Sequence, residues 1–149
     1  MAALNTITSV AEMYYLMLEQ FQANIATVMR AIAAAPEGAV LFHCHAGKDR
    51  AGLVAALLLA LAGVPHEAIA TDYAESDTHL QPLYDEMLAS QAQDPARQEQ
   101  LAQLLTSHRE TMLSTLSHLE AEYGGVELYL LTSGLSHEEV EQIRSRLSA

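Results

Sequence analysis

Cysteine, lysine and tryptophan are nearly missing from this chain of 149 residues, which has one Cys, one Lys and no Trp. A single cysteine cannot form a disulfide within the chain. The N-terminus has no basic segment followed by an apolar stretch and a small-residue cleavage site, so nothing indicates secretion. The sequence therefore predicts a cytoplasmic protein.

Basic residues are scarce as well, because seven Lys and Arg stand against 19 Asp and Glu and the formal net charge is −12. Like charges repel at long range, which excludes nucleic acids and anionic membrane surfaces as general partners. Any anionic ligand must instead be bound at a local site where some of the few basic side chains lie close together.

Long apolar runs are also lacking. The longest, residues 51–64, has 14 residues, whereas a helix that crosses a membrane needs about 20. We therefore expect no transmembrane segment and interpret this run as a buried core helix. Half of all residues are hydrophobic, and the length suits a single domain, residues 1–149.

Apolar residues recur at intervals of three and four in the first part of the chain, at Met13, Met17, Phe21, Ile25, Val28 and Ile32. This spacing predicts one long amphipathic helix over residues 9–35. The apolar residues 39–42, bounded by turn signals, favour a strand that is buried on both faces and extends to His43. Residues 52–62 then predict a buried helix that Gly63 ends.

The remaining sequence is predicted to be helical almost throughout, over residues 66–75, 82–91, 95–106 and 107–123. Two pairs of residues have the pattern of capping boxes at helix starts, Ser107 with Glu110 and Ser136 with Glu139. Glycines break the chain between the last three helices. The predicted fold class is α/β, a mostly helical domain with a strand–loop–helix core and an incomplete central sheet.

The only cysteine and the only lysine lie together in the loop before the buried helix, with the sequence His43-Cys44-His45-Ala46-Gly47-Lys48-Asp49-Arg50. A strand that leads through such a loop into a helix N-terminus forms an anion site, because free backbone N–H groups and the positive helix end converge. Cys44 and Arg50 would face each other there, with the guanidinium holding two phosphate oxygens. The helix end and the cation lower the pKa of a thiol, which makes Cys44 a nucleophile.

These residues resemble the Cys-x5-Arg signature loop of cysteine-dependent protein tyrosine phosphatases. They are most similar to a bacterial tyrosine-phosphatase-like family with the pattern His-Cys-x-x-Gly-Lys-Asp-Arg. The resemblance continues at Asp72-Tyr73, at residues 123–126 and at residues 135–140, so it spans nearly the whole chain. It implies hydrolysis of phosphotyrosine, phosphoserine, phosphothreonine or phosphoinositides, with no metal or organic cofactor.

The resemblance also implies a role for each residue of the loop. Cys44 would form a phosphocysteine intermediate, and Asp49 would protonate the leaving oxygen and later activate water. Arg50 would bind the phosphoryl oxygens. The backbone amides that would hold the rest of the phosphate belong to His45, Ala46, Gly47, Lys48, Asp49 and Arg50. The Lys48 side chain would add charge for a phosphate, and His43 would orient the loop and help to keep Cys44 ionised.

Two departures from the family pattern carry their own predictions. The residue after the arginine is usually Ser or Thr, whose hydroxyl assists the departing cysteine, and Ala51 in its place predicts slow breakdown of phosphocysteine. Family members also have a further region that supplies most of the central sheet, so residues 1–149 would be the C-terminal portion of the usual domain. The predicted strand must then find its partners in residues before Ser9, in a homo-oligomer or in a partner chain, or be left in a poorly paired sheet.

Other polar residues leave alternatives open. Asp72 either supports the loop or is merely a polar residue of its helix. Arg97 and Arg109 either reach a substrate phosphate from a lid or pair with the nearby Glu99 and Glu110 in solvent. The run 43–45, with the sequence His-Cys-His, does not favour a metal site, because successive residues of an extended segment point to opposite faces.

The sequence thus predicts a phosphatase that hydrolyses phosphate monoesters of proteins or phosphoinositides through two-step cysteine catalysis. One alternative is a truncated, non-catalytic phosphate-binding or interaction module, because the missing sheet would abolish turnover while the loop still folds around an anion. A rhodanese-like sulfur carrier also uses a cysteine loop at a helix start, but its loop lacks the Gly-Lys-Asp-Arg run.

Overall fold

A computed structural model describes residues 7–148. Over that range the chain forms eight helices, which are α1 (Val10–Gln20), α2 (Gln22–Ala33), α3 (Asp49–Leu61), α4 (His66–Ala89), α5 (Pro95–Leu104), α6 (Arg109–Tyr123), α7 (Val126–Thr132) and α8 (His137–Leu147). The mostly helical character predicted from the sequence is confirmed. Between residues 7 and 148, no helix is both long and apolar enough to cross a membrane.

The structure shows no strand among residues 7–148, so the predicted strand, the α/β class and the strand–loop–helix core are not seen in the described part of the chain. Residues 39–44 pair with no other segment there, and Leu41 is 90% exposed. A strand exists only where a neighbour bonds its N–H and C=O groups, and no such neighbour is described. Of the residues before Ser9, which were one expected source of partners, residues 1–6 lie outside the described range.

The expected long first helix is divided into α1 and α2 at Phe21, whose backbone leaves the helical region with φ −113° and ψ 28°. Helix α1 begins at a cap, because the Ser9 side chain accepts a hydrogen bond from the backbone N–H of Glu12 at 3.2 Å. The apolar spacing of three and four residues continues across Phe21, which is why the pattern predicts one helix. The break lets α1 pack on α6 and α2 on α8.

Helix α4 is one continuous helix where the sequence predicts two. Pro82 lies inside it rather than at a helix start. The missing N–H of a proline leaves the carbonyl four residues earlier, that of Thr78, without its helical partner. Both residues are exposed, so water can satisfy that carbonyl and the helix continues.

Only one of the two predicted capping boxes forms. At α8, Glu139 N–H donates to the Ser136 hydroxyl at 3.1 Å, and Ser136 N–H donates to the Glu139 carboxylate at 2.8 Å. At α6 the first residue outside the helix is His108, with no side-chain cap. Ser107 is instead buried, and its N–H donates to Asp77 on α4 at 2.6 Å. The tertiary contact with α4 replaces the local cap.

Helix α3 is the buried core helix that the apolar run predicts. Its buried residues are Leu53, Ala56, Leu57, Leu58 and Leu61, and it packs on α4, α7 and α8. Gly63 ends it in the left-handed region at φ +83°, with Val64 N–H bonded to Leu59 O and Gly63 N–H bonded to Ala60 O. This packing fixes the N-terminal end of α3, where the cysteine loop arrives, beside α1 and α4.

Candidate active site

The loop of residues 43–48 turns directly into the first residue of α3. Gly47 adopts φ +73°, a left-handed conformation in which a side chain would be strained. Lys48 is the residue at the helix start, and its carbonyl accepts the first helical hydrogen bond from Gly52 N–H at 2.9 Å. The loop amides and the first turn of α3 therefore lie close to Cys44, as an anion site requires.

Cys44 is half-buried at the foot of this loop and forms no disulfide. Burial raises the pKa of its thiol, but hydrogen bonds from the backbone of Ala51, Gly47 and Lys48 and the positive charge of Arg50 outweigh burial and lower it below the usual value. A thiolate is the reactive form of cysteine. The geometry therefore favours the nucleophile that the sequence predicts.

Arg50 lies in the first turn of α3 with an exposed side chain, close enough for its charge to act on Cys44. His45 is exposed as well, and Ala46 is half-buried. A fork of guanidinium N–H groups can hold two oxygens of one phosphate. The structure thus brings Cys44, Arg50 and the loop amides together on one side of the helix start.

Asp49 is the first residue of α3, and its carboxylate is held by two donors. The hydroxyl of Tyr14 on α1 donates to Asp49 Oδ1 at 2.7 Å, and the ammonium of Lys48 lies 3.2 Å from the same oxygen. The Asp49 side chain remains 34% exposed. A carboxyl group in this position is anchored on one oxygen and reachable on the side that faces outward.

The Lys48 side chain points into the protein rather than toward the front of the loop. It is 2% exposed, and its ammonium donates to the backbone carbonyls of Leu104 and Thr106, each at 2.9 Å. Asp49 takes the third contact of the ammonium, and the ring of Tyr84 lies 6.0 Å away. In this arrangement Lys48 joins the loop to the segment between α5 and α6, so its predicted role toward substrate phosphate stays a prediction.

Two tyrosines lie behind Asp49, and the sequence assigned neither of them a role at the site. Tyr14 on α1 and Tyr73 on α4 are both buried, and their hydroxyl oxygens are 2.7 Å apart. Tyr14 lies on the buried face of α1 with Val10 and Leu18. The one signal in the sequence is a tyrosine on the apolar face of a helix, because a buried tyrosine hydroxyl needs a hydrogen-bond partner.

The supporting residues lie at the back of the loop, around a cavity of about 240 Å³. His43 is exposed, and its Nδ1 lies 3.0 Å from the carbonyl oxygen of Cys44. Asp72, His43 and Ala51 all line the cavity. Asp72 therefore borders the loop, and the next residue, Tyr73, hydrogen-bonds to Tyr14, which in turn donates to Asp49.

Neither of the two arginines considered for a lid forms a hydrogen bond or ion pair with the loop in the described part of the chain. Arg109 pairs with Glu67 on α4 instead of the expected Glu110, and its Nε lies 3.4 Å from the Thr71 hydroxyl. Arg97 is exposed on α5. Within residues 7–148 no three side chains of His, Cys, Asp or Glu are grouped so as to hold a metal ion.

An apolar groove of about 410 Å³ lies between α1, α2 and α3. Arg50 is among its lining residues, and most of the others are apolar: Met17, Phe21, Ile25, Val28, Leu53, Val54 and Leu57. Phe21 is 51% exposed, and Val28 is exposed too. The surface next to the loop is therefore mostly apolar.

The whole chain is similar to one group of known proteins. A family model described as tyrosine phosphatase family matches residues 2–149. The chain belongs to this family. The resemblance seen in the loop sequence is thereby confirmed, and the nucleophile, acid and phosphate-binding residues named above are the candidates for a tyrosine phosphatase site.

Two curated members of the tyrosine phosphatase family show how much of a longer protein this chain matches. A tyrosine-protein phosphatase of Nostoc commune is 38% identical over 144 residues, which cover 93% of this chain and 49% of the relative. The triple specificity protein phosphatase PtpB of Mycobacterium tuberculosis is 29% identical over 119 residues, which cover 72% of this chain and 43% of the relative. The chain spans about half the length of the curated relatives it matches.

Proposed function

We propose that this chain hydrolyses phosphate monoesters through a phosphocysteine intermediate on Cys44. The observation that carries the proposal is the lowered pKa of the Cys44 thiol beside Arg50 and the loop amides, at the N-terminal end of a buried helix. Membership of the tyrosine phosphatase family supports the same chemistry. The residues that act are those of the loop, and no metal or organic cofactor is part of the proposal.

The proposed reaction has two steps. The Cys44 thiolate attacks phosphorus, so that an S–P bond forms and the P–O bond of the ester breaks, while Asp49 gives its proton to the leaving oxygen. Water then attacks phosphorus and loses a proton to Asp49. The S–P bond breaks, the thiolate returns, and inorganic phosphate leaves. Arg50 and the loop amides bind the equatorial oxygens in both steps.

The proposed substrates are phosphorylated tyrosine, serine or threonine in proteins and phosphoinositides. The name of the Mycobacterium tuberculosis relative, triple specificity protein phosphatase, supports a site that accepts more than one class. Around the loop, Arg50 is the exposed cation, since the ammonium of Lys48 is buried. In a chain of net charge −12, that single cation favours substrates with one phosphate over those with several.

The test is hydrolysis of p-nitrophenyl phosphate, a phosphotyrosyl peptide, a phosphoseryl peptide and a phosphatidylinositol phosphate by the purified chain, with EDTA present. We expect turnover of the aryl phosphate that EDTA does not reduce, and slower turnover by Asp49→Asn. A folded chain that binds phosphate or vanadate at the loop but turns nothing over would instead establish the alternative, a non-catalytic phosphate-binding module. The half-length match to relatives is the observation that favours this alternative.

Ala51 predicts which of the two steps is slow. No hydroxyl follows Arg50 to assist the departing cysteine, so we expect a burst of p-nitrophenol equal to the enzyme concentration, followed by slower steady turnover. Ala51→Ser restores a hydroxyl at a half-buried position and is expected to raise the steady rate about tenfold while the burst rate stays constant. Rapid-mixing absorbance measurements give both rates. Linear release from the first turnover would contradict this order of rates.

We propose further that a β-structured segment outside this chain covers residues 39–43 and the apolar groove. The backbone of residues 39–43 is unpaired in the described part of the chain, Leu41 is exposed, and the relatives have about twice the length that this chain spans. An unpaired edge with apolar side chains is a template for strand pairing. The relatives have additional residues, beyond the matched region, from which such a segment can form.

The isolated chain should then be a monomer in which this segment is open. Light scattering is expected to give the mass of one chain, and amide exchange at Val40, Leu41 and Phe42 is expected to be within about tenfold of an unstructured peptide. Protected amides in a dimer, lost in Leu41→Asp but kept in the control Leu128→Asp, would mean that a second copy is the partner and that the proposal is wrong. Leu128 is an exposed leucine on α7, far from the loop in sequence.

A further inference from the structure

While Asp49 is ionised, the hydrogen bonds behind it have one arrangement of protons, because a carboxylate can only accept. Tyr14 has a single hydroxyl proton and gives it to Asp49 Oδ1 at 2.7 Å. The Tyr14 oxygen must therefore accept a proton from its other neighbour, the Tyr73 hydroxyl, also at 2.7 Å. The chain of donors runs from Tyr73 to Tyr14 to Asp49, in that direction only.

The same oxygen of Asp49 is also the one that faces the ammonium of Lys48, at 3.2 Å. Lys48 cannot turn away, because Leu104 O and Thr106 O hold its other protons at 2.9 Å. Oδ1 thus faces two donors and has no room for a proton of its own. The two donors therefore favour Oδ2 as the oxygen that takes an added proton.

We propose that Tyr14, supported by Tyr73, is a positioning residue that fixes the Asp49 carboxyl group and places its transferable proton on Oδ2. The inference rests on the proposed function, in which Asp49 is the acid that protonates the leaving oxygen. Tyr14 touches neither the substrate nor the phosphorus. It acts by deciding which oxygen of Asp49 carries the proton and where that oxygen points.

Burial keeps the hydroxyl groups of both tyrosines protonated, so both can donate hydrogen bonds. The ring of Tyr14 is fully buried, and the Tyr73 ring packs against it edge to face, with centroids 6.1 Å apart. Burial, with the negative charge of Asp49 nearby, holds the pKa of Tyr14 far above its usual value, and burial raises the pKa of Tyr73 to about 12. Neither hydroxyl loses its proton at any pH at which the enzyme would work, so Oδ1 always meets a donor.

A proton fixed on Oδ2 increases the fraction of Asp49 carboxyl groups that are oriented for proton transfer. A free carboxyl group can carry its proton on either oxygen and can rotate, whereas this one is anchored on the inner oxygen while part of the side chain remains exposed. General acids contribute about 10² to 10⁴ in rate only when they lie within hydrogen-bond reach of the leaving atom. The benefit of Tyr14 is therefore confined to reactions that need the proton.

Tyr14→Phe tests the inference, because it removes one hydroxyl and keeps the ring. A poor leaving group such as phenol needs the acid, whereas 2,4-dinitrophenol leaves without it. We expect Tyr14→Phe to reduce kcat/KM for phenyl phosphate by about tenfold and for 2,4-dinitrophenyl phosphate by less than about twofold. Asp49→Asn should show the same pattern with a larger ratio, and Tyr73→Phe the same pattern with a smaller one.

Tyr129→Phe is the matched control. Tyr129 is fully buried and donates one hydrogen bond to the Leu18 carbonyl on α1 at 2.8 Å, but it has no contact with Asp49. It should therefore lower stability without changing the ratio of the two substrates. Equal losses on both substrates in Tyr14→Phe, matching those in Tyr129→Phe, would overturn the inference. If Asp49→Asn is selective for phenyl phosphate while Tyr14→Phe is not, the inference fails and the proposed function stands.

Discussion

Replacing Cys44 with Ser is expected to lower hydrolysis of an aryl phosphate by at least about 10⁴-fold, because removal of a nucleophile disables the residues that act with it. The hydroxyl of serine stays protonated at neutral pH, whereas the surroundings of Cys44 stabilise its thiolate. Steady-state assays with p-nitrophenyl phosphate measure the loss. Serine has almost the size of cysteine, so the thermal midpoint and the affinity for inorganic phosphate should change little.

The state of the thiol can be measured without substrate. Cys44 is the only cysteine, so alkylation by iodoacetamide reports on this residue alone. Since the pKa of Cys44 is lowered, the thiolate persists as the pH falls, and the rate should reach half its maximum below about pH 8.5, the value for a free thiol. Arg50→Ala removes a positive charge and should move this midpoint upward. A midpoint at or above that of free cysteine would argue against Cys44 as the nucleophile.

Replacing Lys48 with Met is expected to destabilise the protein by about 2 to 3 kcal/mol, because partly buried acceptors lose their charged donor. The ammonium is 2% exposed and satisfies the carbonyls of Leu104 and Thr106 as well as the carboxylate of Asp49. Methionine fills similar space but donates no hydrogen bond, so three acceptors lose their donor. Urea unfolding gives the change in free energy.

The comparison variant is Arg109→Met, which breaks the pair between Arg109 and Glu67. That arginine is exposed, and pairs of this kind contribute at most about 1 kcal/mol. A Lys48→Met protein that unfolds within about 1 kcal/mol of the original would show that the ammonium is solvated rather than buried.

Local sequence determines much of this structure and of its loop. The apolar run of residues 51–64 predicts α3, Gly63 predicts its end, and the pattern Ser136-x-x-Glu139 predicts the cap of α8. The residues grouped around Cys44 could also be named in advance. Each of these features depends on residues within a few positions of one another, where spacing carries the information.

The features that could not be predicted depend on distant residues. Tyr14 and Asp49 are 35 positions apart, and nothing in their own neighbourhoods says that α1 will bring the hydroxyl to the helix start. Lys48 was expected to face a phosphate, but carbonyls 56 and 58 positions away attract its ammonium inward. The strand at residues 39–43 is the opposite case, because its local signal is clear but no partner strand lies among the described residues.

Lys48 has a consequence for helix α5. Its backbone begins α3 while its ammonium lies at the carbonyl of Leu104, the last residue of α5, where the helix macrodipole is negative and a cation is stabilising. None of the residues of α5 is buried, and its other contacts are with α4, including a hydrogen bond from Gln98 Nε2 to the Leu88 carbonyl at 2.9 Å. Order in α5 and order in the loop of residues 43–48 are thereby linked energetically. Because such coupling is reciprocal, each segment stabilises the other. An anion that orders the loop therefore also reduces motion in α5, and unfolding of α5 increases motion in the loop.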